Sequence, residues 1–146
     1  MEQMTKESLL ERLNQLQHDT PRKWGKMDAA QMLAHLQVSL EQALGKRNLK
    51  QSILGKIFGT WIKKFMIQSN RPFQRNLPTD QSFIVTDPKN FELEKSKFIE
   101  LYKEFYAVDA SKYVPTAHPI FGNLSFEEWD VLFRKHMHHH LTQFNV

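Results

Sequence analysis

The segment from Phe126 to Phe144 constrains the fold most strongly, because its pattern predicts a long amphipathic helix that is unusually rich in histidine. Four of the seven histidines in the chain fall within five positions of this segment. Every imidazole carries ring nitrogens that need a proton, a hydrogen-bond partner or a metal ion. The cluster therefore indicates a functional site. Its members are His136, His138, His139 and His140.

Helical geometry divides these four histidines into different roles. Each residue of an α-helix turns by roughly 100°, so residues four apart lie on the same face. The apolar residues of the segment place His136 and His140 on the inward face. His139 lies toward the margin and could also pair with His136, whereas His138 is expected to meet solvent. Because two histidines hold a metal only weakly, a third ligand must come from elsewhere.

A second predicted helix offers that ligand in His35. This histidine lies near the edge of an apolar face, in a polar row with Gln31 and Ser39 at intervals of about one helical turn. Considered alone, His35 is more simply a partly buried histidine with a hydrogen-bonded neighbour. Considered with His136 and His140, it becomes the better third metal ligand.

Hydrophobic periodicity predicts five helices in the chain. The apolar stripe of the third helix is predicted to be core, with its lysines in solvent. The predicted helices span 5–16, 28–44 and 53–66, then 87–106 from an Asp87-Pro88 start, and the histidine helix after a capping box at Ser125 and Glu128.

Two proline-containing stretches connect the later helices. Residues 69–90 predict a long irregular crossover, with a short extended piece at 83–85. Residues 114–122 predict a loop, in which His118 precedes a proline and is therefore restricted to an extended conformation. His118 could help to orient the site, although packing within the loop is its simpler role.

Length and composition bound the class of protein. The 146 residues predict a single domain, 1–146, and 40% hydrophobic content argues against disorder. The absence of cysteine excludes disulfides and thiolate ligands, so metal ligands would be imidazole, carboxylate or water.

No apolar run reaches the length of a membrane span, and the N-terminal residues do not resemble a signal peptide. A cytoplasmic location is expected.

Positive charge is concentrated in one part of the chain. Eight lysines and arginines, and no acidic residue, lie between Gln42 and Thr79. The alternative to an enzyme is therefore a non-catalytic helical module that contacts anionic surfaces or nucleic acid through residues 46–75. No motif for base recognition is present, which disfavours nucleic acid as a partner.

Three stretches together resemble a branch of the DinB/YfiT-like superfamily. They are Pro21–Met27 running into Gln31–Leu36, Asn70–Thr79, and His118–Gly122 with Trp129 and His136–Phe144. The resemblance implies an all-α four-helix bundle with a long crossover and an extra short N-terminal or peripheral helix.

The same resemblance implies a divalent metal site with one histidine from the second helix and two from the last helix. Carried onto this chain, it places the ligands at His35, His136 and His140. His139 is the first alternative to His140, because the adjacent histidines leave the register open by one residue.

The chemistry that the resemblance implies is that of a metal-dependent hydrolase or a thiol-dependent transferase acting on a small molecule. Zinc or nickel is the expected ion. Because the chain lacks cysteine, a transferase would need an external low-molecular-weight thiol. Gln31, Ser39 and Gln143 are candidates to orient ligands or contact substrate, by spacing alone. A homodimer is also expected, since members of the superfamily are often dimers.

Overall fold

The computed structural model describes residues 4–69 and 71–146, and this part of the chain forms a predominantly helical fold. Asn70, from one of the stretches that carry the resemblance, lies outside the described residues. The predicted helical class is confirmed. The elements are α1 (Lys6–Asn14), α2 (Ala29–Ala43), α3 (Ile53–Met66), α4 (Phe91–Tyr106), β1 (Thr116–His118), β2 (Gly122–Leu124) and α5 (Phe126–Gln143).

Side-chain caps explain where the helices begin. The predicted capping box of α2 is present, with Asp28 accepting from the backbone N–H of Gln31 at 2.8 Å. The predicted start of α4 at Asp87-Pro88 was three residues too early. The side chain of Asn90 accepts from the backbone N–H of Leu93 at 2.9 Å, and this cap sets the first turn at Phe91.

The core lies between α1, α2, α4 and α5. The α2 helix packs extensively against α4 and also against α5, while α1 packs against α5. Aromatic rings join the facing helices, as in the stacked pair of Phe98 and Phe133 with centroids 6.2 Å apart. The largest fully buried side chains are Trp129, Phe98, Phe105, Phe133, Phe144, Leu9, Leu13, Leu16, Met32, Leu33, Leu36 and Leu40.

The segment predicted as a loop between α4 and α5 contains a small antiparallel hairpin, which corrects the prediction of an irregular loop there. Thr116 pairs with Leu124 and His118 pairs with Gly122. Gly122 adopts a φ of 73°, a conformation that other residues rarely take. This glycine allows the chain to turn back after only three residues, so that Gly122 pairs with His118.

The α3 helix corrects a second prediction, because its apolar stripe is exposed. The helix instead turns Gly55 and Gly59 toward the hairpin turn. A Cβ atom on either glycine would lie 2.5 Å from a backbone carbonyl oxygen of Pro119 or Ile120. The close backbone contact therefore faces inward, and the large apolar side chains face outward. The exposed residues are Ile53, Leu54, Ile57, Phe58, Trp61 and Phe65.

The connection between α3 and α4 is irregular, as predicted, apart from a short 3-10 turn at Gln81–Phe83. The extended piece predicted at 83–85 was therefore wrong at residue 83, which belongs to this turn. Asp80 caps the turn by accepting from the backbone N–H of Ser82 at 2.9 Å. The turn buries Phe83 and directs its carbonyl group toward α2.

None of the helices in the described ranges combines the length and the hydropathy needed to cross a membrane.

Candidate metal centre

Three imidazole nitrogens converge between α2 and α5. The Nε2 atom of His136 lies 2.8 Å from Nε2 of His35 and 3.1 Å from Nε2 of His140. Each histidine offers one ligand atom, and the three atoms all lie within 4.8 Å of one another. His35 and His140 are buried, and His136 is partly exposed. The structure thus brings together the three residues that the sequence predicted as ligands.

The orientation of His35 is fixed by a backbone carbonyl. Its Nδ1 atom lies 2.7 Å from the carbonyl oxygen of Phe83. A carbonyl oxygen only accepts, so Nδ1 carries the proton and donates. In the neutral ring, Nε2 then keeps its lone pair for another partner. Burial holds the pKa of His35 below its usual value, which favours this neutral form.

His140 is fixed in the same way through the side-chain amide of Gln143. The Nε2 of Gln143 donates to the carbonyl oxygen of Trp24 at 2.6 Å, which sets the orientation of the amide. Its Oε1 therefore faces His140 and accepts from Nδ1 at 2.8 Å. The Nε2 of His140 is left with its lone pair. Burial, followed by the neighbouring His35, lowers the pKa of His140 to about 3.

His136 lies between these two acceptors. Its Nδ1 atom is 3.3 Å from the hydroxyl of Ser39, and its Nε2 faces both other Nε2 atoms. A proton on this Nε2 can form a good hydrogen bond to only one of the two lone pairs. Burial, then unfavourable electrostatic interactions with the neighbouring His35 and His140, keeps the pKa of His136 well below its usual value.

The three nitrogen atoms are close enough together to hold one cation. Zinc binds histidine nitrogen at about 2.0–2.1 Å, so a tetrahedral ion holds two ligand nitrogens about 3.3 Å apart. Two of the three distances between ligand atoms, 2.8 and 3.1 Å, are within about half an ångström of that value, and the third pair lies within 4.8 Å. The donor set and the hydrogen bonds at all three Nδ1 atoms match a metal site with oriented histidine ligands.

The backbone at Gly25 makes room for the Gln143 amide. Gly25 adopts a φ of 81°, and a Cβ atom at this position would collide with Nε2 of Gln143. Only glycine combines this backbone conformation with the close approach of the amide. The loop before α2 therefore contributes to the ligand geometry through the carbonyl of Trp24 and the missing side chain of Gly25.

The three histidines line a pocket of about 730 Å³. Its walls come from α3, the connection between α3 and α4, and α5, and they carry apolar side chains such as Met66, Phe73 and Leu132. Asp80 is the one carboxylate among the described lining residues. An apolar pocket with a few converging polar groups is the usual form of a small-molecule site.

The other two histidines of α5 lie outside the converging group. The ring of His139 packs against Trp24 and Phe73, with centroids 5.8 and 6.3 Å away, and lines the pocket without joining the three ligand atoms. His138 was expected to meet solvent, and that prediction was only partly right. It is partly buried, and its Nδ1 lies 2.8 Å from a guanidinium nitrogen of Arg12 on α1.

His118 and Gln31 have hydrogen-bond partners other than the three converging histidines. The Nδ1 of His118 accepts from the backbone N–H groups of Ile120 and Phe121, at 3.1 and 3.4 Å. This pair of bonds closes the hairpin turn, and burial lowers the pKa of His118 to about 3. The side chain of Gln31 completes the α2 capping box and donates to backbone carbonyls of the connection, at Thr86 and Asp87.

Sequence reasoning missed the backbone groups of the site. The carbonyl oxygens of Phe83 and Trp24 orient two of the histidines, yet every residue carries a carbonyl and neither leaves a sequence signal. Gly25 was visible only as part of a recognised stretch. A glycine directly after an aromatic residue in a loop is weak evidence for a close approach.

The comparisons with known proteins identify a family. Residues 2–146 match the family described as Protein of unknown function (DUF1569). The chain belongs to this family. Since the DUF1569 match spans nearly the whole chain, it includes all three converging histidines. No curated protein and no solved structure matches this DUF1569 chain. The site geometry therefore carries the argument for function.

Proposed function

We propose that this DUF1569 protein is a divalent-metal-dependent enzyme whose ion is held by His35, His136 and His140. The single observation that carries the proposal is the convergence of three Nε2 atoms, each belonging to a ring whose Nδ1 has its own hydrogen-bond partner. A histidine that only packs in the core has no need to point its Nε2 at the same place as two other histidines. A histidine that binds a metal needs its Nε2 close to those of the other ligands, and it needs a hydrogen-bond partner at Nδ1 that orients the ring.

The ligand set selects the class of ion. Three neutral imidazoles without thiolate suit zinc, nickel and similar ions, whereas magnesium and calcium require oxygen ligands. Three protein ligands also leave a coordination position for water or substrate, which is the pattern of catalytic rather than structural zinc sites. Zinc or nickel is therefore the proposed ion.

The pocket supports a small-molecule substrate. An ion in this position supplies a Lewis acid that lowers the pKa of a bound water or thiol and polarises a substrate oxygen. The protein residues contribute orientation and exclusion of water. Ser39 and Gln143 orient two of the histidine rings through hydrogen bonds. The pocket around the three Nε2 atoms has apolar walls, which include Trp24, Phe73 and Leu132.

Hydrolysis and thiol transfer are the two proposed reaction classes. The one carboxylate among the described lining residues, Asp80, already accepts two hydrogen bonds at Oδ1 from Ser82, at 2.6 and 2.9 Å. These hydrogen bonds hold the pKa of Asp80 below its usual value, so its carboxylate is a weak general base. The lack of a suitable base favours transfer to an external low-molecular-weight thiol, because activation of that thiol requires only the ion.

The arrangement of helices also supports a place near the DinB/YfiT-like superfamily, which we retain as part of the proposal. The helices α1, α2, α4 and α5 share one core, and α3 lies at its periphery. A long connection joins α3 to α4 and contributes Phe73 and Phe83 to the pocket. These features fit a four-helix bundle with a crossover and one peripheral helix.

Metal titration of untagged protein tests the proposal. Protein stripped with a chelator should bind one equivalent of Zn²⁺ or Ni²⁺, measured by elemental analysis after desalting. Bound metal should raise the melting temperature, because a ligand of the native state stabilises it by mass action. His136→Ala and His140→Ala should each lose both effects.

His18→Ala is the matched control, because His18 is an exposed loop histidine. It should bind metal like the wild type. Unchanged melting of the wild type at a metal concentration that saturates a known three-histidine protein would refute the metal site. Cobalt-loaded protein then separates the two reaction classes, since a thiolate ligand adds a charge-transfer band. The absence of such a band with an excess of small thiol would leave hydrolysis.

A further inference from the structure

The outward face of α3 is mainly apolar. Its six large side chains, from Ile53 to Phe65, are between 50% and 78% exposed. At roughly 100° per residue, these positions fall within an arc of roughly 140° on one side of the helix. An apolar stripe of this kind on a monomeric protein marks an interaction site.

The fold fixes this face outward. Gly55 and Gly59 press against backbone carbonyl oxygens of the hairpin turn, where side chains would collide. Lys63 is held by Glu128 of α5 at 2.7 Å, and Lys135 of α5 donates to the carbonyl of Met66 at 2.9 Å. The helix is therefore tied at several points along its inner side. Rotation that would bury the apolar stripe would break all of these contacts.

Positive charge borders the apolar face. Two lysines lie at the Ile53 edge of this face: Lys64 is roughly 20° inside the edge, and Lys56 is roughly 60° outside it. Both lysines are exposed, and within the described ranges neither forms an ion pair with a carboxylate. Arg71 extends the cationic border by lying over the ring of Phe65, 5.6 Å from its centroid.

We propose that α3 docks this protein on the surface of an anionic phospholipid bilayer, with its aromatic and aliphatic face in the interface and its lysines on the lipid phosphates. The combination of Trp, Phe and Ile with bordering lysines is that of an interfacial amphipathic helix. Trp61, which is 69% exposed at the centre of the face, is the residue type that favours the interfacial region.

Charge argues for a bilayer over the other possible occupants. A second copy of the chain docked through the same face would bring two sets of unpaired lysines together. Nucleic acid would use the cations and leave six exposed apolar side chains without a role. An anionic bilayer satisfies both the charge and the apolar surface.

Binding to vesicles tests the proposal with the full chain. Vesicles of phosphatidylcholine containing phosphatidylserine should co-sediment the protein, and the same vesicles without phosphatidylserine should bind it at least tenfold more weakly. The tryptophan fluorescence should shift to the blue on binding. In Trp61→Phe, which keeps the face apolar, binding should persist while most of the shift disappears.

Paired variants separate the contributions of charge and apolar surface. Lys56→Glu with Lys64→Glu should reduce binding at least tenfold, whereas Lys103→Glu with Lys112→Glu, at exposed positions outside α3, should reduce it far less. Ile57→Ser with Phe58→Ser should also lose binding, while Leu93→Ser at an exposed position of α4 should not. Circular dichroism melting establishes that each variant is folded.

Three results would overturn the proposal. They are equal binding to charged and neutral vesicles, the absence of vesicle binding at low salt, and self-association that Ile57→Ser with Phe58→Ser abolishes in protein that binds no vesicles. Binding to duplex DNA that survives the same double substitution, without vesicle binding, would assign the cations to nucleic acid instead. None of these outcomes depends on the metal site, so each is independent of the proposed enzyme function.

Discussion

Gln143 orients His140 by accepting a hydrogen bond from its Nδ1 at 2.8 Å, while the other end of the same amide donates to the carbonyl of Trp24. Both residues lie near the C-terminal end of α5, and the carbonyl belongs to the loop before α2. The proposed ligand is therefore positioned by a chain of two hydrogen bonds that joins distant parts of the sequence.

Gln143→Leu should weaken metal binding by about 10- to 100-fold, the usual cost of removing a partner of a histidine ligand. Leucine has a volume similar to that of glutamine, but it leaves Nδ1 of His140 without its acceptor. Competition with a chromophoric chelator measures the affinity. Thr142→Leu, at an exposed neighbouring position, is the control and should bind like the wild type. Equal affinities in the two variants would show that Gln143 does not orient a ligand.

Gly25→Ala should weaken metal binding and also lower the free energy of unfolding by about 1–2 kcal/mol from backbone strain. Gly45→Ala is a matched control, because Gly45 also has a positive φ, of 69°, but its Cβ would meet nothing within 4 Å. Both variants should lose stability in chemical denaturation. Only Gly25→Ala should lose metal affinity, since only there does the new methyl group displace Gln143.

His118 should make the metal-free protein sensitive to acid. Its pKa of about 3 in the folded protein is below the ordinary value near 6.5, so the unfolded chain binds more protons between these values. Its contribution to stability is complete above about pH 6.5 and falls as the pH decreases. Between pH 7 and pH 5 this loss amounts to about 2 kcal/mol.

His118→Asn tests this contribution, because the Oδ1 of asparagine can still accept from the backbone N–H groups of the hairpin turn while carrying no titratable proton. The variant should lose less stability than the wild type between pH 7 and pH 5, measured by urea denaturation with chelator present. His118→Ala should be less stable than His118→Asn at pH 7. An unchanged pH dependence in His118→Asn would contradict the assignment of a neutral, accepting His118.

Gln42→Met should stabilise the protein by about 1–3 kcal/mol, because it removes a buried amide that forms no hydrogen bond. Both polar atoms of the Gln42 side chain lack partners among the described residues, and the residue is fully buried on α2. Gln37→Met on the same helix is the control. The Gln37 amide donates to Glu94 at 2.8 Å, so its replacement should destabilise. Thermal melting distinguishes the two signs.

Much of the secondary structure could be predicted because it depends on local patterns. The capping pairs at Asp28 and at Ser125, and the spacing of apolar residues, locate α2 and α5 without any knowledge of the fold. The same spacing places His136 and His140 on one face. The third histidine, His35, could be proposed from its position on a predicted helix together with the resemblance.

The errors arose where packing partners decided the outcome. The apolar stripe of α3 has the period of a core helix, yet Gly55 and Gly59 allow closer contact with the hairpin and turn the stripe outward. His138 was placed in solvent because its partner, Arg12, lies on a helix distant in sequence. Periodicity describes one element at a time, and neither contact is visible within one element.

Helical spacing and residue type are local properties, so the helices, the inward pair of histidines and the lack of thiolate ligands could be predicted from the sequence alone. The convergence of His35, His136 and His140 depends on packing between helices, as does the packing of His139 against Trp24 and Phe73. Such a cluster requires a short distance between side chains on different helices, which no pattern within one helix can fix. Backbone carbonyls and a glycine from two connecting segments set that distance.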